Sequence, residues 1–353
     1  MGSHQAYMRL ALELAEKGRA TVSPNPLVGC VVVKNGRIVG KGYHKKAGEP
    51  HEEVHALRQA GIKATVATLY TTLEPCSHWG RTPPCTQDII KAGIKEVVIG
   101  LEDPNWRIHG IEELKKHGIK VIAGILEEEA KKQNEIFVKF ISKHMPFVIL
   151  KMAVTADGMI AAPDSKHISS KASRTIVHQL RTQVDAVMVG KNTVAADNPR
   201  LTPRFVKGKD PMKIVADSLL GIPENSILLR KPKKLIIATT NKASLPKIKK
   251  LERKGAAIII CEAKKGKISL ADMMKKLAQL KITSVLLESG GELASAALEA
   301  KVVDKIILFI SPKAAGKGTP LFGKIAHENP IRLNRPQIRH VAEDVMIEGY
   351  VKG

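Results

Sequence analysis

From Gly29 onward the chain alternates short apolar runs of strand character with amphipathic runs of helical spacing, and the alternation breaks once, at Lys143-His144-Met145-Pro146. Alternation of this kind confines a chain to sheets faced by helices, because each strand row needs an apolar helix face to cover it. Before the break the pattern predicts a helix over 6–17, then a hairpin of strands 29–34 and 37–43 turning at Asn35-Gly36. A helix over 51–60, a strand over 68–73 and a helix over 85–92 follow, then strand and helix pairs over 96–116 and 120–142. An initial hairpin followed by such units implies a mixed sheet. After the break, strands are expected over 147–154, 186–189, 213–216, 234–238, 257–261, 284–288, 303–311 and 341–350, with a helix over 171–183. A chain of 353 residues exceeds one ordinary core, so we read two α/β domains, 1–144 and 145–353.

The stretch Pro50-His51-Glu52-Glu53-Val54-His55 admits three readings. As H-E-x-x-H it is a metalloprotease helix, with His51 and His55 as ligands one turn apart and Glu52 as general base. As H-x-E it is half of a nucleobase-deaminase centre, with His51 as ligand and Glu53 as proton shuttle. The third reading is a charged helix start on the surface.

The cysteines separate these readings. Four in so long a chain cannot form a disulfide framework. Cys30 and Cys261 lie in the apolar runs GCVVV and AAIIIC and read as core residues. Cys76 and Cys85 bracket the loop CSHWGRTPPC, and Cys85 opens the next helix, where a thiolate is favoured. His51, Cys76 and Cys85 give a one-nitrogen, two-sulfur zinc site with its fourth position open to water, the catalytic arrangement. Within a helix His51 and Glu53 would point about 200° apart, so the metal is expected off the helix end. The protease reading supplies no third ligand and leaves both cysteines unexplained.

The net charge of +23 is uneven: residues 1–144 carry +5 and residues 145–353 carry +18. A basic second half suits anionic small molecules such as a phosphorylated sugar or a dinucleotide. It also admits a deaminase that binds RNA, although only 3% aromatic residues argues against stacking platforms for single strands. No apolar run approaches the roughly 20 residues that cross a bilayer, and no signal-peptide pattern precedes the first helix, so a cytoplasmic location is expected. Met1-Gly2-Ser3-His4 has the look of a vector remnant and is left out of the argument.

Taken together, SPNPLVGC, GYHKKAGEPHEE, TLEPCSHWGRTPPC and EDPN resemble the deaminase half of the bifunctional riboflavin-biosynthesis deaminase/reductase family. LKMAVTADGMIA, VGKNTVAADNPRLTPR and LLESGGELASAAL resemble its reductase half, in the same order. The resemblance implies a cytidine-deaminase-like domain with a mixed sheet, then a dihydrofolate-reductase-like α/β domain. It implies zinc-dependent deamination of a diaminopyrimidinone carrying a ribosylamino 5′-phosphate, followed by reduction of the ribose by NADPH. It also implies a homo-oligomer, with no membrane partner and no nucleic acid.

Position by position, the resemblance matches His51, Cys76 and Cys85 to the zinc ligands and Glu53 to the proton shuttle. Asn25, His44, Arg81 and Asn105 fall where the family contacts the pyrimidine and its ribose phosphate. Ser165, Arg181, Leu201, Arg204 and Glu288 match substrate positions in the reductase half. Val154, His167, Thr193, Asp197, Ser218, Gly290 and Gly291 match cofactor positions. Arg181 and Arg204 could hold a phosphate by forked hydrogen bonds. Lys151 and Glu288 are candidates for moving protons.

Several of these residues also have ordinary explanations. Asn25 between two prolines is a good turn residue, Arg181 could be one more basic residue on a helix face, Asp197-Asn198-Pro199 could simply end an element, and a glycine pair often follows a strand. Gly190-Lys191-Asn192-Thr193 lacks the upstream glycine and the adjacent Lys-Ser/Thr of a phosphate loop. The chain departs from the family at Glu52, usually alanine. The segment after Asn105 is about two residues short, with Trp106 for the usual proline, and the loop 161–166 is also shortened. His167 replaces a usual tryptophan. These departures leave open a paralogue with only one active half.

Overall fold

The computed structural model describes residues 3–79, 83–161, 167–321 and 331–352. The chain divides into two compact units, Met1–His144 and Met145–Gly353.

The first unit runs α1 (His4–Ala15), β1 (Gly29–Lys34), β2 (Arg37–Tyr43), α2 (Glu52–Ala60), β3 (Thr68–Leu73), α3 (Cys85–Lys91), β4 (Glu96–Leu101), α4 (Gly110–Lys116), β5 (Lys120–Ile122), α5 (Glu127–Gln133) and α6 (Glu135–Lys143). Its sheet has the order β2-β1-β3-β4-β5. β1 is antiparallel to β2 and β3, whereas β3, β4 and β5 run parallel. This is the mixed sheet expected from a hairpin followed by strand and helix units. Alternate side chains serve opposite faces. Cys30, Val32, Leu69, Val97 and Ile99 pack with Ala56, Leu57, Ile89 and Leu114 of the helices on one side, while Val31, Val33, Tyr70 and Val98 pack with Met8 and Ala11 of α1 on the other.

One helix replaced by two is the main local difference from the sequence reading. The amphipathic run over 127–142 breaks at Asn134, where the side chain leaves the helical pattern to bond a distant backbone. Its Oδ1 accepts from Leu27 N–H at 2.8 Å and its Nδ2 donates to the Leu27 carbonyl at 2.9 Å. A buried amide that satisfies both groups of another residue's backbone does what a strand partner would do, and it fixes the Asn25 turn from behind.

The second unit contains β6 (Phe147–Thr155), β7 (Met159–Ala161), α7 (Lys171–Gln183), β8 (Ala186–Gly190), α8 (Lys191–Asp197), β9 (Met212–Ala216), β10 (Leu235–Thr240), α9 (Leu245–Arg253), β11 (Ala257–Cys261), β12 (Ala263–Lys264), β13 (Lys267–Ile268), α10 (Leu270–Gln279), β14 (Ser284–Leu287), α11 (Gly291–Glu299), β15 (Lys305–Ser311), β16 (Thr319–Pro320), β17 (Leu333–Val341) and β18 (Asp344–Val351). The main sheet has the order β11-β10-β9-β8-β14-β6-β15-β18-β17. From β11 to β15 every neighbouring pair is parallel, and β18 and β17 close the sheet in antiparallel fashion. Strand β17 escaped the sequence reading. It is exposed along most of its length, so its side chains carry no apolar alternation, and it contains Pro336, which edge strands tolerate.

Helix α2 sits very close to β2. A Cβ built on Gly42 would lie 2.1 Å from the Glu52 carbonyl oxygen, and one on Gly40 would lie 2.1 Å from that of Ala56. Both contacts are with backbone, so neither can be relieved by a rotamer change. Gly42→Ala should therefore lift the α2 N-terminus and cost about 1–3 kcal/mol, the usual range for overpacking. Chemical denaturation together with zinc content measures both effects.

Candidate metal centre and strand-end cleft

His51 is not inside a helix. It is the residue before the first turn of α2, with extended backbone (φ −74°, ψ 166°), and so its ring leans off the helix end. Cys76 follows the end of β3, and Cys85 is the first residue of α3 after Pro84. These three segments bring one ligand atom each from His51, Cys76 and Cys85 within 4.8 Å of one another. His51 Nδ1 lies 3.2 Å from the Cys85 sulfur and 3.7 Å from that of Cys76. Among the described residues this is the single such group, and His55 is not part of it.

The electrostatics suit a cation. The Cys76 thiol is held down to about 4, first by its hydrogen bond from Cys85 and then by His51 and the Cys85 backbone N–H, 3.3 Å away. The same pairing pushes the Cys85 thiol up, with burial adding to the effect. His51 is raised by its hydrogen bond to Cys76. Two sulfurs competing for one proton is the signature of a donor set suited to a soft or borderline metal, and the residues fit zinc.

Glu53 is 1% exposed and Glu52 is 4% exposed, both in the first turn of α2. Oxygen Oε2 of Glu53 is buried without a hydrogen-bond partner. Burial raises the Glu53 carboxyl, although His51 opposes the shift. Burial and the Glu53 charge beside it hold Glu52 well above the ordinary range. Glu52 is therefore a buried carboxyl beside Glu53 rather than a surface charge.

Around this centre, Asn25 Nδ2 donates to His44 Nε2 at 3.0 Å, and the His44 ring meets that of His51 edge-on at 5.3 Å. Burial and His51 lower His44 to about 4, so it stays neutral and its Nε2 remains an acceptor. Asn105 sits in a turned segment, its Oδ1 accepting from Arg107 N–H at 3.2 Å, with Trp106 exposed. Arg81 lies outside the described residues.

In the second unit the sheet order places the carboxyl ends of β9, β8, β14 and β6 side by side. Ligands of parallel sheets bind along such an edge. Ser218 follows β9, Thr193 and Asp197 lie on α8 directly after β8, Glu288, Gly290 and Gly291 follow β14, and Val154 closes β6. A Cβ on Gly290 would meet nothing, leaving that backbone open, whereas one on Gly291 would lie 2.3 Å from the Leu321 carbonyl oxygen. Gly290 precedes the first turn of α11 and caps it with no side chain, and a helix start of this kind suits a cofactor phosphate. Ser218 accepts through its carbonyl from the hydroxyls of Thr239 and Thr240 and through Oγ from Ile268 N–H. His167 is exposed, and Ser165 and the rest of the loop 162–166 lie outside the described residues.

Arg181 behaves differently from the sequence expectation. Its Nε and Nη2 donate to the two oxygens of Glu288 at 2.6 and 2.9 Å, and its Nη1 donates to the Thr202 carbonyl at 3.1 Å. Three N–H groups are thus committed within the protein, leaving Arg204 as the freer guanidinium. Lys151 Nζ approaches Glu288 at 3.9 Å. Burial lowers Lys151 against the pull of Glu288, while Arg181 outweighs burial and lowers Glu288. Leu201 is buried with φ 53°, at the start of the segment that carries Arg204.

Sequence reasoning missed His178. Its Nδ1 accepts from Phe205 N–H at 3.1 Å, and its ring stacks on that of Phe205 at 4.2 Å and 8°. Burial, then Arg181 and Arg204, lowers it to about 4. A histidine one helical turn before Arg181 in QLRTQ carries no motif of its own, because its partner is a backbone group distant in sequence.

Model matches cover most of the chain: residues 1–101 fit the cytidine and deoxycytidylate deaminase zinc-binding region, and residues 146–347 fit the RibD C-terminal domain. The chain is 43% identical over 348 residues to the riboflavin biosynthesis protein RibD of Aquifex aeolicus, covering 97% of this chain and 96% of that one. It is 38% identical over 364 residues to RibD of Escherichia coli K12, covering 97% of each. Among solved structures, RibD of Acinetobacter baumannii superposes with a TM-score of 0.89 at 34% identity. A diaminohydroxyphosphoribosylaminopyrimidine deaminase/5-amino-6-(5-phosphoribosylamino)uracil reductase of Thermotoga maritima gives 0.88 at 36% identity. Both structures cover 99% of each chain.

Removing Arg181 would leave Glu288 buried without its fork. Arg181→Met should cost roughly 3–5 kcal/mol, the usual effect of breaking a buried pair from one side, as read by denaturation. Since the folded Glu288 carboxyl is lowered, the pairing stabilises above the ordinary carboxylate range and is lost as pH falls through the folded value. The gap between the two proteins should be full at neutral pH and close in acid.

Proposed function

The chain belongs to the RibD family of bifunctional riboflavin-biosynthesis enzymes, and on that premise we propose which of its residues perform each step. The family's two reactions are a deamination and then a reduction, with a zinc-binding deaminase domain first and an NADPH-dependent reductase domain second. The proposed substrate of the first step is 2,5-diamino-6-ribosylamino-4(3H)-pyrimidinone 5′-phosphate, in line with the Thermotoga relative's activity.

The convergence of His51, Cys76 and Cys85 beside the unpartnered Oε2 of Glu53 carries the reading of the first site. Zinc, when held by those three residues, acidifies a water and stabilises charge developing on the substrate. Glu53 takes the proton of the attacking water at Oε2, delivers it to the ring nitrogen, and then serves the departing amine as ammonia leaves. Glu52 lies buried beside Glu53 and takes no proton in the step. Asn25 and His44 orient the pyrimidine from the neutral side, and Asn105 and Arg81 complete its seat.

In the second unit NADPH supplies the hydride. Ser218, Thr193, Asp197, Val154, His167, Gly290 and Gly291 hold it along the strand ends. Arg204 takes the substrate phosphate, Ser165 and Leu201 serve the same substrate, and Arg181 aligns Glu288 at the ribose. The charge of the second half supports anionic ligands of this kind. The same reading makes the partners a phosphorylated pyrimidine and NADPH rather than nucleic acid, the assembly a homo-oligomer and the location cytoplasmic. No helix among the described residues is long and apolar enough to cross a membrane.

Two assays on purified protein test the reading: ammonia release and NADPH consumption. Ammonia without NADPH oxidation would overturn the reductase assignment while sparing the deaminase. Glu53→Gln should abolish ammonia release with zinc still bound. Glu52→Gln should keep most of it, because the proton is carried by Glu53 and the amide has nearly the carboxyl's volume. A dependence on Glu52 in place of Glu53 would show that the wrong carboxylate has been assigned.

A further inference from the structure

Glu74 lies immediately after β3, two residues before Cys76, and is 9% exposed. Among the described residues its carboxylate forms no ion pair, and both oxygens bond backbone. One oxygen, Oε2, accepts from Asp103 N–H at 3.1 Å, and the other, Oε1, accepts from Ile111 N–H at 2.9 Å. Those two amides bracket the segment that carries Asn105. Within the segment, turns run from Asn105 N–H to Asp103 Oδ1, from Arg107 N–H to Asn105 Oδ1 and from Ile108 N–H to the Asn105 carbonyl.

The opposite wall is the ligand loop itself. A Cβ on Gly110 would lie 2.0 Å from the Pro75 carbonyl oxygen, so the two backbones touch. Ser77 Oγ, one residue beyond Cys76, accepts from His109 N–H at 2.9 Å. Residues 74, 75 and 77 therefore each grip the segment 103–111, and Cys76 stands between them.

We propose that Glu74 is a positioning residue of the deamination step, tying the Asn105 segment to the Cys76 loop so that the pyrimidine seat and the metal centre keep one geometry. The proposal rests on the deaminase reading and on Asn105 touching the substrate. A carboxylate is suited to the task because both of its oxygens accept, and a single side chain can clamp two amides that point toward each other. Glutamine cannot do the same, since its NH2 would face one of the two N–H groups.

The test is a double-mutant cycle between Glu74 and Asn105, read in the full-length protein by ammonia release, with zinc content and NADPH-dependent reduction measured alongside. Glu74→Gln should raise KM for the pyrimidine about tenfold, as expected for losing one hydrogen bond to a charged group, with kcat changed by less than about threefold and one zinc per chain retained. In an Asn105→Ala background the same substitution should change KM by less than about twofold, because the residue it acts through is gone. Ser77→Ala, which removes only a hydroxyl, should show the same non-additivity at smaller size and serves if Glu74→Gln does not fold. Additive effects in both cycles, or loss of zinc with a fall in kcat at unchanged KM, would overturn the proposal. Absence of ammonia release from the unmodified protein would overturn the deaminase reading and this proposal together, whereas activity there with an unchanged KM in both variants overturns the proposal alone.

Discussion

Contact between the backbones of α2 and β2 is the constraint on which the first site depends. Gly40 and Gly42 let the helix approach until carbonyl oxygens of Glu52 and Ala56 rest where a Cβ would otherwise be. The approach fixes the helix axis, and with it the direction in which His51 leaves the first turn. It also buries Glu52 and Glu53 against the sheet, where a lone carboxylate would be costly. The site offsets that cost by placing His51 next to Glu53. Burial of the two carboxyls and the direction of His51 thus have a common origin in two missing side chains.

The second unit reaches a functional edge by another route. No single residue organises it. Parallel pairing of β9, β8, β14 and β6 aligns four strand ends, and each end contributes whatever residue follows it. The Arg181–Glu288 fork then spans from α7 to the end of β14, and Arg181 also fixes the Thr202 carbonyl. With His178 holding Phe205, α7 grips the segment 201–205 at two places. That segment is the one in which Arg204 lies, so its position is set by a helix as well as by its own turn from Arg204 N–H to the Thr202 carbonyl.

The sequence made the metal centre legible because zinc chemistry restricts residue types severely: a histidine, two cysteines and an offset glutamate are few enough to be recognised before their geometry is known. The strand ends were legible in outline for a similar reason, since glycines and charged residues stand out against apolar runs. What escaped notice was held together by backbone. Glu74, Asn134 and His178 all bond main-chain groups, and a main-chain partner leaves no trace in residue identity. Strand β17 escaped because exposure on both faces removes the alternation by which strands are read. Arg181 stood out in the sequence, but its fork with Glu288 did not: a fork that fits phosphate fits a carboxylate equally well, and only the fold brings Glu288 within reach.

The position of β6 in its sheet has a consequence for the order in which the protein can be built. β6 is the first strand of the second unit, yet it lies at the sheet's centre, between β14 and β15. Its apolar sequence FVILKMAVT leaves the ribosome early and keeps one hydrogen-bonding edge open until Leu287 has been made and the other until Ser311 has been made. The first unit, by contrast, draws all its strands from one continuous stretch that ends before β6 begins. Domains fold as units from the N-terminus during synthesis, so the deaminase half can close while the core strand of the reductase half still waits for its neighbours. That interval, rather than the finished structure, is where this chain is most exposed to aggregation.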